Sequence, residues 1–310
     1  MAFTSIESFS EIAHKYDGFI LDQYGVMHNG SESLPGSVAC IEKLASMGKK
    51  LIILSNTSSP SEMALKKLPK FGFDKHDFIG AVTSGEEAAA YIKSKYGATS
   101  SKKKAIFFAW EKKDISMAFL KKCGNVEATT NVAEADFVIT LGCDVLHDSS
   151  GSGTKSLGSY MHEGDFSVID PILEQSLERD LPIVCANPDL IAKLAGGVTA
   201  NMPGQIAKKY EEMGGKCKYF GKPYAEHFEA CLDELGLEPS RVCHVGDSLH
   251  HDIKGANAAK VSSVFITGGV HSDAFDCDVG ELPEKNELKE LFDKEGIQPT
   301  HVSPLLQFYA

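Results

Sequence analysis

The chain alternates short apolar runs with helical patterns, and this alternation most limits the folds open to it. The runs are rich in β-branched or aromatic residues, end on polar residues or glycine, and read GFILD, KKLIILSN, KCKYFGKP, RVCHVGD and VSSVFITGG. Helical spacing of apolar residues occurs between them, at 35–48, 60–72, 224–236 and 250–260. This order predicts an α/β fold in which a doubly wound, Rossmann-like parallel sheet carries helices on both faces.

A second α/β block interrupts this pattern in the middle of the chain. Its strand candidates are KAIFFAW (104–110), VEATT (126–130), ADFVITLG (135–142) and LPIVCANPD (181–189). Its helical patterns lie at 84–96, 111–123 and 170–179. We therefore predict an α/β domain inserted at 83–203, within a main domain formed by 1–82 and 204–310.

Composition restricts the partners and the compartment. The formal net charge of −12 over 310 residues disfavours nucleic acids and anionic membrane surfaces as partners. The eight cysteines form no CxxC pair, and several lie in apolar runs, as buried thiols do in a reducing compartment. No signal-peptide pattern opens the chain and no apolar run reaches membrane-spanning length, so a cytoplasmic location is expected.

Polar side chains stand where the predicted strands of the main domain end. They are Asp22, the triplet Ser55, Asn56 and Thr57, Lys222, and the pair Asp247 and Asp252. Ligands of open parallel sheets collect at this edge. Carboxylates alone would repel a phosphate group, but a Mg²⁺ ion held by Asp22 and Asp247 would reverse the local sign. The pattern predicts a magnesium-dependent site for a small phosphate ester, with Asp22 able to attack phosphorus.

These segments resemble, in order, the four motifs of the haloacid dehalogenase (HAD) superfamily. The segments are FILDQYGV, LIILSNTS, the lysine of GKP, and CHVGDSLHHD. Within the superfamily the chain is similar to the 4-nitrophenylphosphatase-like branch, subfamily IIA, whose members carry a large α/β cap inserted after the second motif. The resemblance covers about residues 17 to 270.

The resemblance implies roles for the metal-site residues. Asp22 would be the nucleophile and a Mg²⁺ ligand, and the backbone carbonyl of Tyr24 would be the next ligand. Asp247 would be the third ligand, and Asp252 would support the metal site from outside this set of direct ligands. The stretch from Val26 to Gly36 would be a flap that helps to exclude water.

The resemblance also implies contacts with the substrate. Ser55 and Lys222 would hold phosphate oxygens and take part in catalysis, with Asn56 and Thr57 beside them. In the cap, Asn187 and Asp189 of the NPD sequence would face the substrate. Relatives with such a cap commonly form homodimers through it, so a homodimer is an expectation here.

Tyr24 departs from the pattern of the family's phosphatases. These enzymes usually have an aspartate two residues after the nucleophile, which protonates the leaving group and later activates water. The metal site tolerates the change, because any residue supplies a backbone carbonyl. The acid–base partner does not survive, because a phenol with a pKa near ~10 is a poor proton donor and acceptor at neutral pH.

Two alternatives to phosphatase chemistry follow from this departure. Haloacid dehalogenases carry a tyrosine at this position, since halide leaves without a proton, but they use no metal and lack the carboxylate that this chain keeps at Asp247. A non-catalytic protein that binds a phosphorylated metabolite is the other alternative. If turnover occurs, we expect it to be slow on alkyl phosphates and faster on aryl or acyl phosphates.

Overall fold

The computed structural model describes residues 3–149, 154–193 and 199–309. The strands are β1 (Thr4–Ser5), β2 (Gly18–Leu21), β3 (Lys50–Ser55), β4 (Gly80–Thr83), β5 (Lys103–Ala109), β6 (Val126–Thr129), β7 (Phe137–Thr140), β8 (Val145–Leu146), β9 (Lys155–Ser156), β10 (Ile183–Cys185), β11 (Ile191–Lys193), β12 (Thr199–Asn201), β13 (Cys217–Tyr219), β14 (Val242–Gly246), β15 (Ser262–Ile266) and β16 (His301–Ser303).

Helices connect many of these strands along the chain. They are α1 (Ser37–Ser46), α2 (Ser61–Lys67), α3 (Ser84–Ile92), α4 (Lys113–Lys122), α5 (Tyr160–Glu163), α6 (Asp170–Glu178), α7 (Pro203–Glu212), α8 (Ala225–Leu235), α9 (Lys254–Ala258) and α10 (Lys285–Glu295). Within the described parts of the chain, no helix is both long enough and apolar enough to cross a bilayer.

The chain forms two compact units. The first comprises 1–55, 62–82 and 222–310, and the second comprises 56–61 and 83–221. The sheet of the first unit has the order β1-β16-β15-β14-β2-β3-β4. Strand β2 lies in the interior of this sheet and pairs in parallel with β14 on one side and with β3 on the other. The crossover order and parallel pairing confirm the predicted doubly wound α/β fold.

Both faces of this sheet are covered by apolar side chains from helices. Phe19 and Leu21 of β2 pack in one cluster with Ile41 of α1. Ile20, which lies between them in the strand, packs in another cluster with Phe228 of α8. Because side chains alternate between the two faces of a strand, the continuous apolar run of β2 is the pattern of a strand buried on both sides.

The second unit is built on a sheet of its own, in the order β13-β10-β7-β5-β8-β9, with β6 paired to β5. Strands β5, β6, β7 and β10 fall on the sequence-predicted strands, and their pairings are parallel. Strand β8 pairs antiparallel with β5, and β9 pairs antiparallel with β8 at this edge of the sheet. Apolar clusters cover the two faces of this sheet, one involving α3 and α4 and the other α6 and α7.

The second unit ends at 221, whereas the sequence pattern predicts its end at 203. The strand predicted from KCKYFGKP, which is β13, pairs with β10 and not with the sheet of the first unit. Helix α7 contributes Ile206, Ala207 and Tyr210 to the apolar cluster of the second unit. The two boundaries differ because a short β-rich run does not indicate which of two parallel sheets it joins.

Candidate active site

Asp22 and Asp247 follow adjacent strands of the first unit. Leu21 at the end of β2 pairs with Val245 of β14, and the Asp22 N–H donates to the Val245 carbonyl at 2.9 Å. The parallel register therefore brings both carboxylates to the same end of the sheet. Strand β3 pairs on the other side of β2, with Ile53 opposite Leu21, so Ser55 also ends there.

Asp252 reaches the same place from a π-helical turn, Leu249–Ile253, that leads directly into α9. The Ser248 side chain caps this turn by accepting from the His251 N–H at 3.2 Å. The Ser248 carbonyl accepts from both Asp252 N–H and Ile253 N–H, at 2.9 and 3.2 Å. Such single π turns are common at functional sites, and this one returns the Asp252 carboxylate toward the start of the turn.

Lys222 joins the carboxylates. Its Nζ lies 2.7 Å from Asp22 Oδ1 and 2.7 Å from Asp252 Oδ1. Asp252 also accepts from His244 Nε2 at 2.9 Å and from the Ser248 N–H at 3.0 Å. Both oxygens of Asp252 thus face protein hydrogen-bond donors.

Burial and mutual repulsion set the protonation of the carboxyl groups. Burial raises the pKa of Asp22, although Lys222 opposes the shift. Burial, followed by the charges of Asp22 and Asp252, raises the pKa of Asp247 well above its usual range. Burial also acts on Asp252, but the Lys222 ammonium and the hydrogen bond from His244 outweigh it and lower the pKa of that carboxyl.

The charge balance of Lys222 follows from the same neighbours. Burial by itself would lower the pKa of the ammonium, but Asp22 and Asp252 reverse the sign and raise it. One ammonium cannot balance three ionised carboxylates, so two negative charges stay uncompensated when all three are ionised. A cation would remove this deficit.

The residues present fit a hard divalent cation such as Mg²⁺. Oxygens of Asp22, Asp247 and Asp252 all lie within 4.8 Å of one another, and carboxylate oxygen is the donor type that Mg²⁺ prefers. Asp247 receives a hydrogen bond on Oδ2 from the Val270 N–H at 2.7 Å. A Cβ on Gly25 would lie 1.9 Å from the same Oδ2, so the Asp247 carboxylate needs a glycine there.

His244 was not singled out by the sequence analysis. It lies in β14 and is completely buried, with its Nε2 on Asp252. The sequence feature that could have pointed to His244 is its position as a polar residue inside the apolar run RVCHVGD, two residues before Gly246. Sequence patterns assign such a histidine to the core, and only the contact with Asp252 connects it to the site.

The Tyr24 side chain is 47% exposed although it follows a buried strand. Its ring meets the ring of His28 edge-on, at 6.4 Å between centroids, and passes beside Gly30. His28 is itself held by stacking on Phe71 at 4.0 Å and by the Gly30 N–H, which donates to Nδ1 at 3.1 Å. The loop that carries Tyr24 is therefore bound to the first unit through His28.

Four of the predicted substrate residues belong to the second unit. Asn56 donates from Nδ2 to Asp189 Oδ1 at 2.9 Å, and the Asp189 N–H donates to Asn187 Oδ1 at 3.1 Å. The Thr57 carbonyl accepts from the Gly85 N–H at 3.2 Å. These contacts show a polar network within that unit, and the substrate contacts expected of its members stay predictions.

Known families and proteins resemble the chain. A family model described as haloacid dehalogenase-like hydrolase matches residues 19–124, and a second, described as HAD-hydrolase-like, matches 219–304. A protein of Schizosaccharomyces pombe named 4-nitrophenylphosphatase is 25% identical over 280 residues, which is 87% of this chain and 90% of that protein.

Two solved structures share the fold over nearly their whole lengths. A haloacid dehalogenase-like hydrolase from Brucella suis has a TM-score of 0.73 and 22% identity, and covers 98% of this chain and 100% of its own. A possible sugar phosphatase from Cytophaga hutchinsonii has a TM-score of 0.74 and 19% identity, with coverages of 99% and 100%. The two family models leave residues 125–218, most of the inserted unit, unmatched. The alignments with the two solved structures extend over this part of the chain as well. The chain belongs to the haloacid dehalogenase superfamily of hydrolases.

Proposed function

We propose that this protein is a magnesium-dependent phosphatase that hydrolyses a small phosphate ester through an aspartyl-phosphate on Asp22. The observation that carries the proposal is the convergence of Asp22, Lys222, Asp247 and Asp252 at one end of a parallel sheet. The activity in the name of the fission yeast relative, a 4-nitrophenylphosphatase, supports the same chemistry.

Asp22, Asp247 and the backbone carbonyl of Tyr24 are the groups that would hold Mg²⁺. When bound, the ion supplies positive charge beside the phosphate and lowers the repulsion between the substrate and the carboxylates. Lys222 supplies a second positive charge next to Asp22. Ser55 would donate a hydrogen bond to a phosphate oxygen from the neighbouring strand.

The reaction proceeds in two displacements at phosphorus. A carboxylate oxygen of Asp22 forms a bond to phosphorus while the ester bond between phosphorus and the leaving oxygen breaks. Water then attacks phosphorus, the bond to Asp22 breaks, and inorganic phosphate leaves with the carboxylate restored. The leaving oxygen departs as an anion and takes its proton from water, because Tyr24 supplies no acid of suitable strength.

The leaving group is therefore a phenolate or a carboxylate in preference to an alkoxide. Large apolar side chains near the site support an apolar leaving group. Tyr24 is 47% exposed, Tyr224 is 38% exposed two residues after Lys222, and Val270 is 43% exposed beside its N–H contact with Asp247. Aryl and acyl phosphates thus form the proposed substrate class.

The test is a panel of phenyl, acetyl and alkyl phosphates and a haloacid, each with and without Mg²⁺. We expect Mg²⁺-dependent release of phosphate that is fastest with the phenyl and acetyl esters and absent in Asp22→Asn. Asp233→Asn, at an exposed carboxylate on α8, is the matched control and should keep full activity.

Three results would contradict the proposal. Phosphate release by Asp22→Asn would exclude the aspartyl-phosphate. Metal-independent release of halide would indicate a dehalogenase. Binding of phosphate in the presence of Mg²⁺, without turnover of any ester, would indicate a non-catalytic binding protein.

A further inference from the structure

We infer that His244 is a positioning residue that acts through Asp252 to hold the Lys222 ammonium against Asp22. The contribution of this arrangement to catalysis rests on the proposed function. The arrangement itself is a property of the folded chain that can be measured without any substrate.

The contacts form a continuous chain from the interior of the first unit to the nucleophile. His244 Nε2 lies 2.9 Å from Asp252 Oδ1, and the same oxygen lies 2.7 Å from Lys222 Nζ. The ammonium reaches Asp22 Oδ1 at 2.7 Å. His244 and Asp252 are fully buried, so water cannot replace a donor that is lost.

The geometry assigns the imidazole proton that faces Asp252. An ionised carboxylate only accepts hydrogen bonds, so Nε2 must carry the proton in this contact. His244 Nδ1 is buried and has no hydrogen-bond partner among the described residues. The ring is packed edge-on against Phe228, at 5.0 Å between centroids. This packing leaves the histidine one polar contact within the site, and that contact is Asp252.

Asp252 in turn needs donors from several directions to keep its orientation. The Ser248 N–H holds Oδ2 at 3.0 Å, while Oδ1 is shared between His244 and Lys222. Without His244, Asp252 Oδ1 would accept a hydrogen bond from Lys222 only, and the carboxylate could rotate toward the ammonium. The ammonium would then follow Asp252 away from Asp22, where the phosphate must bind.

The test compares His244→Leu, which removes the donor, with His244→Gln, whose amide nitrogen can replace Nε2. The probe is inorganic phosphate, titrated calorimetrically in the presence of Mg²⁺. We expect His244→Leu to weaken phosphate binding and kcat by about 10- to 100-fold, the range found when outer partners of site residues are lost. His244→Gln should return both to within a few fold of the wild type.

His301→Leu is the matched control for a loss of stability. His301 is a buried histidine of the same sheet, its Nε2 lies 3.0 Å from the Tyr16 hydroxyl, and its Nδ1 has no partner among the described residues. The His301→Leu variant therefore loses a comparable buried contact that does not involve the carboxylates. Unchanged phosphate binding in His301→Leu would support the inference, and an equal loss in both leucine variants would overturn it.

A direct readout is the side-chain ammonium spectrum of protein labelled with ¹⁵N-lysine. The buried Lys222 ammonium should give a slowly exchanging signal in the wild type, identified by its absence in Lys222→Met. We expect this signal to shift or disappear in His244→Leu and to be retained in His244→Gln and His301→Leu. An unchanged signal in His244→Leu would overturn the inference.

This measurement also separates the inference from the proposed function. If the wild type hydrolyses no phosphate ester, the proposed function fails. The ammonium spectra of the same variants still decide whether His244 positions Lys222, because they require neither phosphate nor turnover.

Discussion

Tyr24 occupies the position, two residues after Asp22, at which the family resemblance leads us to expect an acid–base aspartate. Its backbone carbonyl can serve a metal ion as any residue's would, but its side chain is a phenol and not a carboxyl group. The ring is instead half-exposed, beside His28 and Gly30. The choice of side chain at position 24 should therefore change the range of leaving groups and leave the metal site in place.

Tyr24→Asp is expected to raise kcat for alkyl phosphates by at least about tenfold, since general acid–base catalysis contributes ~10²–10⁴-fold. The gain should be much smaller for phenyl phosphate, whose leaving group needs no proton. Steady-state kinetics on the two esters checks this. Tyr24→Phe is the control, because it removes the hydroxyl without adding an acid. A similar gain on both esters, or a gain in Tyr24→Phe, would contradict the prediction.

Gly25→Ala is expected to lower Mg²⁺ affinity and activity more than tenfold, because its Cβ would lie 1.9 Å from Asp247 Oδ2. Gly48→Ala provides the comparison. Both glycines have a positive φ, 79° and 73°, but a Cβ on Gly48 would meet nothing within 4 Å. The backbone strain, about 1–2 kcal/mol, is thus common to both variants. Calorimetric titration with Mg²⁺ should find a change in Gly25→Ala alone.

At the scale of elements, the π-helical turn Leu249–Ile253 determines where Asp252 points. Ser248 controls this turn twice, since its hydroxyl caps it and its carbonyl accepts from two successive N–H groups. An ordinary helical start at the same place would move Asp252 around the helix axis and away from Lys222. The spacing between Asp247 and Asp252 therefore has a structural meaning only together with this turn.

Ser248→Ala is expected to cost about 1 kcal/mol of unfolding free energy, as the loss of a cap usually does, and also to weaken phosphate binding. Ser8→Ala removes a cap of similar kind from Phe9–Glu11 in the same unit. It should cost comparable stability and leave phosphate binding unchanged. Urea unfolding and phosphate titration of both variants check this, and equal phosphate affinities in the two variants would contradict it.

At the scale of the whole molecule, a buried histidine makes the stability of the first unit sensitive to acid. Burial lowers the pKa of His301, and the charge of Lys15 adds to the shift. The unfolded chain protonates this residue below about pH 6.5, whereas the folded chain resists protonation. The contribution of His301 is therefore full above about pH 6.5 and declines as the pH falls below it.

Comparison of the wild type with His301→Gln checks this sign. The stability advantage of the wild type should shrink between about pH 7 and pH 5.5, in urea unfolding curves at each pH. His14→Gln, at an exposed histidine in the same unit, should follow the wild-type pH dependence. An advantage of His301 that grows on acidification would show that its folded-state pKa is raised and not lowered.

The sequence predicted most of the fold and the central residues of the site for a physical reason. A strand buried on both faces has few alternatives to a continuous apolar run, as in β2, and a charged residue such as Asp22 marks its end. The same reasoning failed at β13, whose sequence resembles that of the other strands. Its partner β10 lies 34 positions earlier in the chain, and only packing selects it over the strands of the first sheet.

Local sequence by itself thus determined the alternating strands and helices, the polar strand ends and the tyrosine at position 24. These depend on side-chain periodicity and on residue chemistry that neighbouring positions already express. The tertiary structure decided that β13 joins the second sheet and that His244 reaches Asp252. It also decided that one ammonium is shared by two carboxylates that lie 230 positions apart along the chain, Asp22 and Asp252. Such contacts are absent from any local pattern because they form only when distant strands pair.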